Sequence, residues 1–328
     1  MKSKHYDPEN PDQTGLIYGE PNDVYHKNKA ISNSGLNLYA YRPLKYHDTF
    51  VSKIVEREQS KAMLEGSLFH SATLESREEF YNQYVTEPLN APPRPTSAQI
   101  KAEKKTILAM ERISYWNSFD KVNKDKIIIT PDQEKLAFKM KAAILVDDVA
   151  AKLLTDCAFE VTFRTEELAI GCSMQCKTDC MQPTGSEIHE LPYIVDIKKI
   201  SSLDLIERHI VEFNYYRQAA YYLKTIHTVL GEEKFHEFFF IFVESTPPYE
   251  VAIVKLRDTV LDIATAHISE DLKNYAKAIN DSDWPTYAQN LGRRTYTKPW
   301  RTEVVDIDDN NIITLDFPTS YYMQTNDL

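Results

Sequence analysis

Along the first 155 residues, apolar positions recur mostly at helical spacing. In ISNSGLNLYAYRPLKYHDTF, Leu36, Leu38 and Tyr39 supply an apolar side, and Ser32 or Ser34 stands where a helix start is capped. KAMLEGSLFHSATLES sets Met63, Leu64, Leu68 and Leu74 on related faces and predicts a buried helix. The Pro-rich EPLNAPPRPTS interrupts the period, which resumes in AQIKAEKKTILAMERISYW. KIIIT predicts a short strand. TPDQEKLAFKMKAAILVDDVAAKLL predicts a long helix with Pro131 in its first turn. Residues 1–30 are polar and Asn- and Asp-rich, and predict a loosely ordered segment.

From residue 156 the pattern changes. AFEVTFRTEELAIGCSMQCKTDCMQ and ELPYIVDIKKIS are β-like and flank the turn signal PTGSE. SLDLIERHIVEFNYYRQAAYYLKTIHTVLG predicts one long helix closed by Gly231. FHEFFFIFVEST and YEVAIVKL predict strands, and LDIATAHISEDLKNYAKAIND an amphipathic helix. The fold class is mixed α/β (α+β): a mixed central sheet flanked by helices, with a helical N-terminal part. One strand breaks the rule that charges stay out of apolar runs. YIVDIKKISS carries an acid and two lysines.

Composition is that of an ordinary globular protein, with 42% hydrophobic and 27% charged residues. No apolar run approaches the roughly 20 residues of a membrane span, and the N-terminus lacks the apolar core of a signal peptide, which predicts a cytosolic protein without membrane attachment. That setting argues against structural disulfides among Cys157, Cys172, Cys176 and Cys180. The last three are spaced by four, without the C-x-x-C pairs of zinc sites, and in a strand would share one buried face. The net charge of −11 disfavours a DNA coat protein. Six of those negatives, Glu303, Asp306, Asp308, Asp309, Asp316 and Asp327, fall after Arg301, the last basic residue. The preceding 302 residues carry only −5, so a nuclease with a local basic channel stays open.

Four features combine. In a strand, Asp196 and Lys198 project to one face while Ile197 turns to the core. Asp179 precedes Asp196 by a hairpin of sixteen intervening residues, long enough to bring the two side by side. Carboxylates so held repel unless a cation lies between them, and oxygen-rich sites suit Mg²⁺ or Mn²⁺. Gly66 and His70 lie one helical turn apart on a shared face, where the glycine would admit another backbone. Gln218 and Tyr222 stand at i, i+4 with Tyr215 on the same side, a face able to hold a phosphate or Lys198. Each alone also reads as ordinary surface or core patterning.

Together and in this order, Gly66-x-x-x-His70, Asp179, Asp196-x-Lys198 and Gln218-x-x-x-Tyr222 resemble the PD-(D/E)xK nuclease superfamily in its RecB-like branch. More narrowly, the chain resembles the phage and prophage exonuclease VIII (RecE-type) family. DVYHKNKAISNSGL, LEGSLFHSATLE, FFFIFVESTPPYEVAIVKL and SDWPTY carry that closer likeness, from about Asp23 to Trp300. The first acidic motif is Thr178-Asp179 rather than Pro-Asp, and nothing after Trp300 has a counterpart. The resemblance implies a PD-(D/E)xK exonuclease domain over residues 31–300, with a mainly helical part to 155 and a catalytic α/β core from 156. Residues 1–30 and an acidic tail, 301–328, flank it.

It further implies one or two Mg²⁺ (or Mn²⁺) ions held by His70, Asp179, Asp196 and the Ile197 carbonyl. Lys198 would position or activate the attacking water, Gln218 and Tyr222 would hold Lys198 or the DNA, and Glu160 would support the site from outside or serve a second metal. Arg293, Arg294, Lys298, Trp300 and Arg301 interleave charge and aromatics as a candidate DNA grip. The implied activity is ATP-independent 5′ to 3′ digestion of linear double-stranded DNA ends in a bacterial or phage-infected cytosol. A ring-shaped homo-oligomer would hand the 3′ single strand to an annealing recombination protein. Another RecB-like end-processing or defence endonuclease, or a non-catalytic nuclease-fold DNA-binding protein, fits the same residues.

Overall fold

The computed structural model describes residues 4–55, 60–231, 235, 237–293, 295–296 and 298–325. The strands run β1 Lys4–His5, β2 Gly15–Tyr18, β3 Ile31–Ser32, β4 Tyr84–Thr86, β5 Ile127–Ile129, β6 Ala158–Arg164, β7 Met174–Gln182 and β8 Tyr193–Ile200. They continue with β9 Glu237–Glu244, β10 Val251–Leu256, β11 Glu303–Ile307 and β12 Ile313–Asp316. The helices used below are α1 Asn33–Tyr41, α2 Lys61–Leu74, α3 Tyr215–Leu230 and α4 Asp258–Asp281. Two compact units form: residues 1–60 with 143–328, and residues 61–142.

In the first unit the sheet order is β1-β2-β6-β7-β8-β9-β10-β12-β11, with β3 added beside β7. β6, β7 and β8 form an antiparallel meander, whereas β8 and β9 are parallel. A parallel pair needs a crossover, and α3 lies on it. The strand with the awkward charges is thus central, between β7 and β9. Ile194 and Ile197, of opposite parity along it, are both fully buried. Its neighbour β9 is buried along Phe238–Val243, and each buried phenylalanine contributes ~1.5–3 kcal/mol relative to exposure. The core gathers α3, α4 and the Phe238, Phe240 and Phe242 face of β9.

The second unit pairs β4 with β5 and packs Leu68, Ala72, Phe80, Tyr84, Ile129 and Ala137 together. The predicted helix there is α2, although Met63 is exposed. A Cβ at Gly66 would meet no described atom within 4 Å, so the glycine is not explained by a close backbone approach.

Several expectations change. Ser32 caps α1 through the Gly35 N–H, as its position predicts. The long helix before Gly231 is instead two, Ile206–Glu212 and α3, because Asn214 turns left-handed at φ 59°. The helix from Pro131 ends at Val146, and a second begins at Asp148, where Asp147 caps the new start. The polar N-terminal segment is anchored: Glu20 is buried against Arg164 at 2.7 Å. The acidic C-terminal stretch supplies β11 and β12, with Leu315, Phe317 and Tyr321 in the core. Cys157 and Cys180 are joined as a disulfide, against the expectation of four reduced thiols. Cys172 lies ahead of β7, so the three later cysteines share no strand face. Among the described residues no helix is long and apolar enough to cross a membrane.

Candidate active site

β7 and β8 bring the two acids together. Their last register pair is Cys180 with Val195, and one step further sets Asp179 opposite Asp196. The Ile197 N–H donates to Asp179 Oδ2 at 2.8 Å, which ties the first carboxylate to the backbone of the Asp-x-Lys strand. Both are nearly inaccessible: Asp179 is 8% exposed and Asp196 2%. Buried carboxylates need donors or cations around them.

Those neighbours come from β8 and α3. Lys198 forms an ion pair with Asp196 Oδ2, and the Gln218 amide donates to Asp196 Oδ1. The Lys198 ammonium also lies 4.9 Å from the centre of the Tyr215 ring, a cation–π contact. Burial alone would lower the Lys198 pKa, but the carboxylate of Asp196, with Tyr215 and Asp179, raises it above the ordinary lysine value. Lys198 is therefore a cation at neutral pH and cannot take a proton from water in this state. Burial, followed by neighbouring groups that include Asp196, raises the Tyr222 pKa, so its hydroxyl stays protonated.

The resemblance implies that Gln218 and Tyr222 hold Lys198 or the DNA. The structure assigns Gln218 to Asp196 instead, because an amide N–H seeks a carboxylate, whereas an ammonium has nothing to accept it. Lys198 rests on Tyr215, and the Tyr222 ring packs against Phe238 at 6.0 Å. Glu160 lies in β6 between the pairs Phe159–Cys180 and Val161–Thr178, and so across from Asp179. Its backbone is left-handed at φ 52°, a cost of about 1–2 kcal/mol for a residue with a Cβ. Its carboxylate lies 3.9 Å from Lys177. The sequence marks Glu160 as a candidate but carries no signal of its left-handed backbone.

His70 is carried by α2 in the second unit, its ring against Phe69 at 6.2 Å. In the candidate DNA grip, Arg293 pairs with Asp283 at 2.7 Å and Arg301 with Glu303 at 2.6 Å. Lys298 donates to the Glu212 carbonyl at 3.2 Å, and Trp300 is half exposed against Tyr321. Tyr296, in the same stretch, is buried and donates to Asp271 at 2.6 Å, so part of the stretch is structural. Arg294 lies outside the described residues.

Among the described residues no three His, Cys, Asp or Glu side chains gather as a metal cage. Mg²⁺ does not require one, since it keeps several waters and takes one or two carboxylates. Asp179 and Asp196 offer carboxylate oxygens of that kind, beside a lysine suited to an anion, and the Ile197 carbonyl would add a further oxygen. The residues present fit a hard divalent ion.

Comparison with known proteins agrees with this architecture. A solved structure from Eubacterium rectale, titled "Putative exonuclease", superposes with a TM-score of 0.55 at 16% identity, covering 85% of this chain and 92% of that one. A search among curated proteins finds no match. The family described as a PDDEXK-like domain of unknown function (DUF3799) matches residues 45–293, a span that holds Asp179, Asp196, Lys198, Gln218 and Tyr222. The fold is thus that of a PD-(D/E)xK nuclease core, and the chain belongs to the DUF3799 family of PDDEXK-like domains.

Proposed function

We propose that the chain is a metal-dependent DNA nuclease acting on the ends of linear duplexes. The observation that carries the reading is the meeting of Asp179 and Asp196 on adjacent strands beside a half-buried, protonated lysine. Asp179, Asp196 and the Ile197 carbonyl would hold Mg²⁺ or Mn²⁺, one ion or two. When bound, the ion supplies charge neutralisation at the phosphate and a more acidic water. Gln218 fixes the Asp196 carboxylate by its amide bond. Lys198, already positive, offsets charge that develops on the phosphate oxygens and orients water as a donor. Tyr222, kept protonated, is a second donor near the acids.

The finer reading is an ATP-independent 5′ to 3′ exonuclease. It would expose 3′ single strands for an annealing recombination protein, as a ring of identical subunits in the cytoplasm. Its support is the likeness of the ordered motifs to the exonuclease VIII type.

The test is incubation of end-labelled linear duplex and closed circular DNA with Mg²⁺, using the native chain, Asp196→Ala and Lys198→Ala. Loss of the linear form alone, by the native chain alone, is the expected result. Cutting of closed circles would replace exonuclease with endonuclease. Equal activity in both variants would remove the site assignment. An inactive native chain would leave a DNA-binding protein of nuclease fold.

A further inference from the structure

A second feature of the first unit lies apart from the carboxylates. A cleft of about 970 Å³ opens between the segment 25–53 and the end of α4 with Trp284. Its composition runs against the rest of this acidic chain. Lys27, Lys29, Lys53, His26 and His47 line it, and among the described residues no Asp or Glu does. Lys27 and His47 are paired with Asp23 at 2.8 Å and Asp48 at 3.1 Å. Lys29 and Lys53 are exposed and have no ion-pair partner among the described residues. The floor is aromatic. Phe50 stacks on Tyr46 at 5.1 Å, Tyr46 on Trp284 at 6.0 Å, and His47 lies 5.1 Å from Trp284. Phe50 and Trp284 are half-buried, so each keeps accessible ring surface.

Exposed lysines beside accessible ring faces are what a single-stranded nucleic acid requires: phosphates meet lysines and bases lie on π-faces. A duplex hides its base faces and cannot use such a floor. The cleft is tied to the candidate active site through one strand. β3 pairs with the start of β7, where Gln175 lines the cleft. Asp179 lies four residues further along β7, about 13 Å at the strand rise, or about four stacked nucleotides. Between them Lys177 stands 5.3 Å from the Tyr25 ring, itself part of the cleft wall.

We infer that this cleft binds a single-stranded stretch of DNA, with bases on the accessible faces of Phe50 and Trp284, which flank the buried Tyr46, and phosphates at Lys29 and Lys53. The choice of DNA rests on the proposed nuclease reading; the strandedness rests on the cleft. The test is fluorescence anisotropy of a dye-labelled twelve-nucleotide single strand in EDTA, where cleavage is absent. The proteins are the native chain, Lys29→Glu with Lys53→Glu, and Phe50→Ala, each checked for native circular dichroism.

The charge-reversed protein should bind at least tenfold more weakly, and the slope of log K against log salt should flatten by about 1.4, two phosphates' worth. Phe50→Ala and an abasic strand should each lose about fivefold or more. Binding within twofold of native in the charge-reversed protein would overturn the inference, as would equal affinity for a blunt duplex of the same length. A native chain that binds the strand but never cuts DNA would remove the nuclease reading and leave the cleft assignment standing.

Discussion

Two consecutive residues of α3 serve two different buried polar clusters. Gln218 reaches Asp196 in the candidate active site. Arg217, fully buried, reaches away to Asp271, Tyr296 and Asn37. In the second cluster every arm of the guanidinium is engaged: Nε by Asn37 at 2.6 Å, and the two terminal nitrogens by Tyr296 at 3.1 Å and by Asp271. The positive group there cannot lose its proton at any ordinary pH, and its planar fork fixes direction. In the first cluster the positive group is a lysine, a compact charge on a flexible stem that can swing from a carboxylate to a phosphate. One cluster is a clamp between α1, α3 and α4; the other is arranged so that its partners can be exchanged.

That contrast can be broken experimentally, and the largest effect belongs to the exchangeable cluster. Asp196→Asn should cut Mg²⁺-dependent cleavage of linear duplex by about 10³- to 10⁴-fold. Its melting temperature should stay within a few degrees, because the substitution also relieves repulsion with Asp179 and the Lys198 side chain, 14% exposed, can reach water. Arg217→Met should do the reverse. Removing one partner of a fully buried pair costs about 3–5 kcal/mol in denaturant melts, while cleavage per folded molecule stays within about threefold. Adding Asp271→Leu should restore much of that loss.

The clamp also carries a pH signature. His267 stacks on Tyr296 at 3.8 Å, and burial, then the Arg217 charge, lowers its pKa from 6.5 to about 4. The unfolded chain therefore binds a proton that the folded chain refuses. Stability from this group is present above about pH 6.5 and is lost as pH falls towards 4, by up to ~3 kcal/mol. His267→Phe should flatten that limb in melts across pH 4–7; an unchanged limb would remove His267 from the account.

Lys198→Arg keeps the charge but spreads it over a fork, and should lower cleavage about tenfold with under ~1.5 kcal/mol change in stability. The raised pKa should keep Lys198 charged at neutral pH, with no loss of activity from its titration there. Smallest of all, Arg293→Ala and Arg301→Ala remove exposed ion pairs, and should each change stability by less than ~1 kcal/mol.

The two clusters also differ in how far they could be read from the chain. Asp179, Asp196 and Lys198 sit on consecutive strands of one meander, and Gln218 on the crossover that follows. Alternation and one hairpin suffice to bring the acids together. Arg217 meets partners 180, 54 and 79 residues away, and no local period encodes such distances. Its neighbour Gln218 was legible while its own role was not. The left-handed Asn214 and Glu160 escaped for another reason: a single backbone angle set by tertiary packing leaves no mark on hydrophobic spacing. The sheet's central strands were clear from β-branched and aromatic runs. The outer pair was not, because Glu303–Ile307 and Ile313–Asp316 are short, acidic and half-exposed.

That outer pair governs how the chain can be cut. The family match ends at residue 293, yet β12 runs along β10 through Val254, Lys255 and Leu256. A fragment trimmed at the match would bare that row of backbone donors and acceptors and vacate the seats of Leu315, Phe317 and Tyr321. Such an edge recruits strands from other chains. Insolubility of a trimmed fragment would then report the missing strands rather than any failure of the catalytic core to fold.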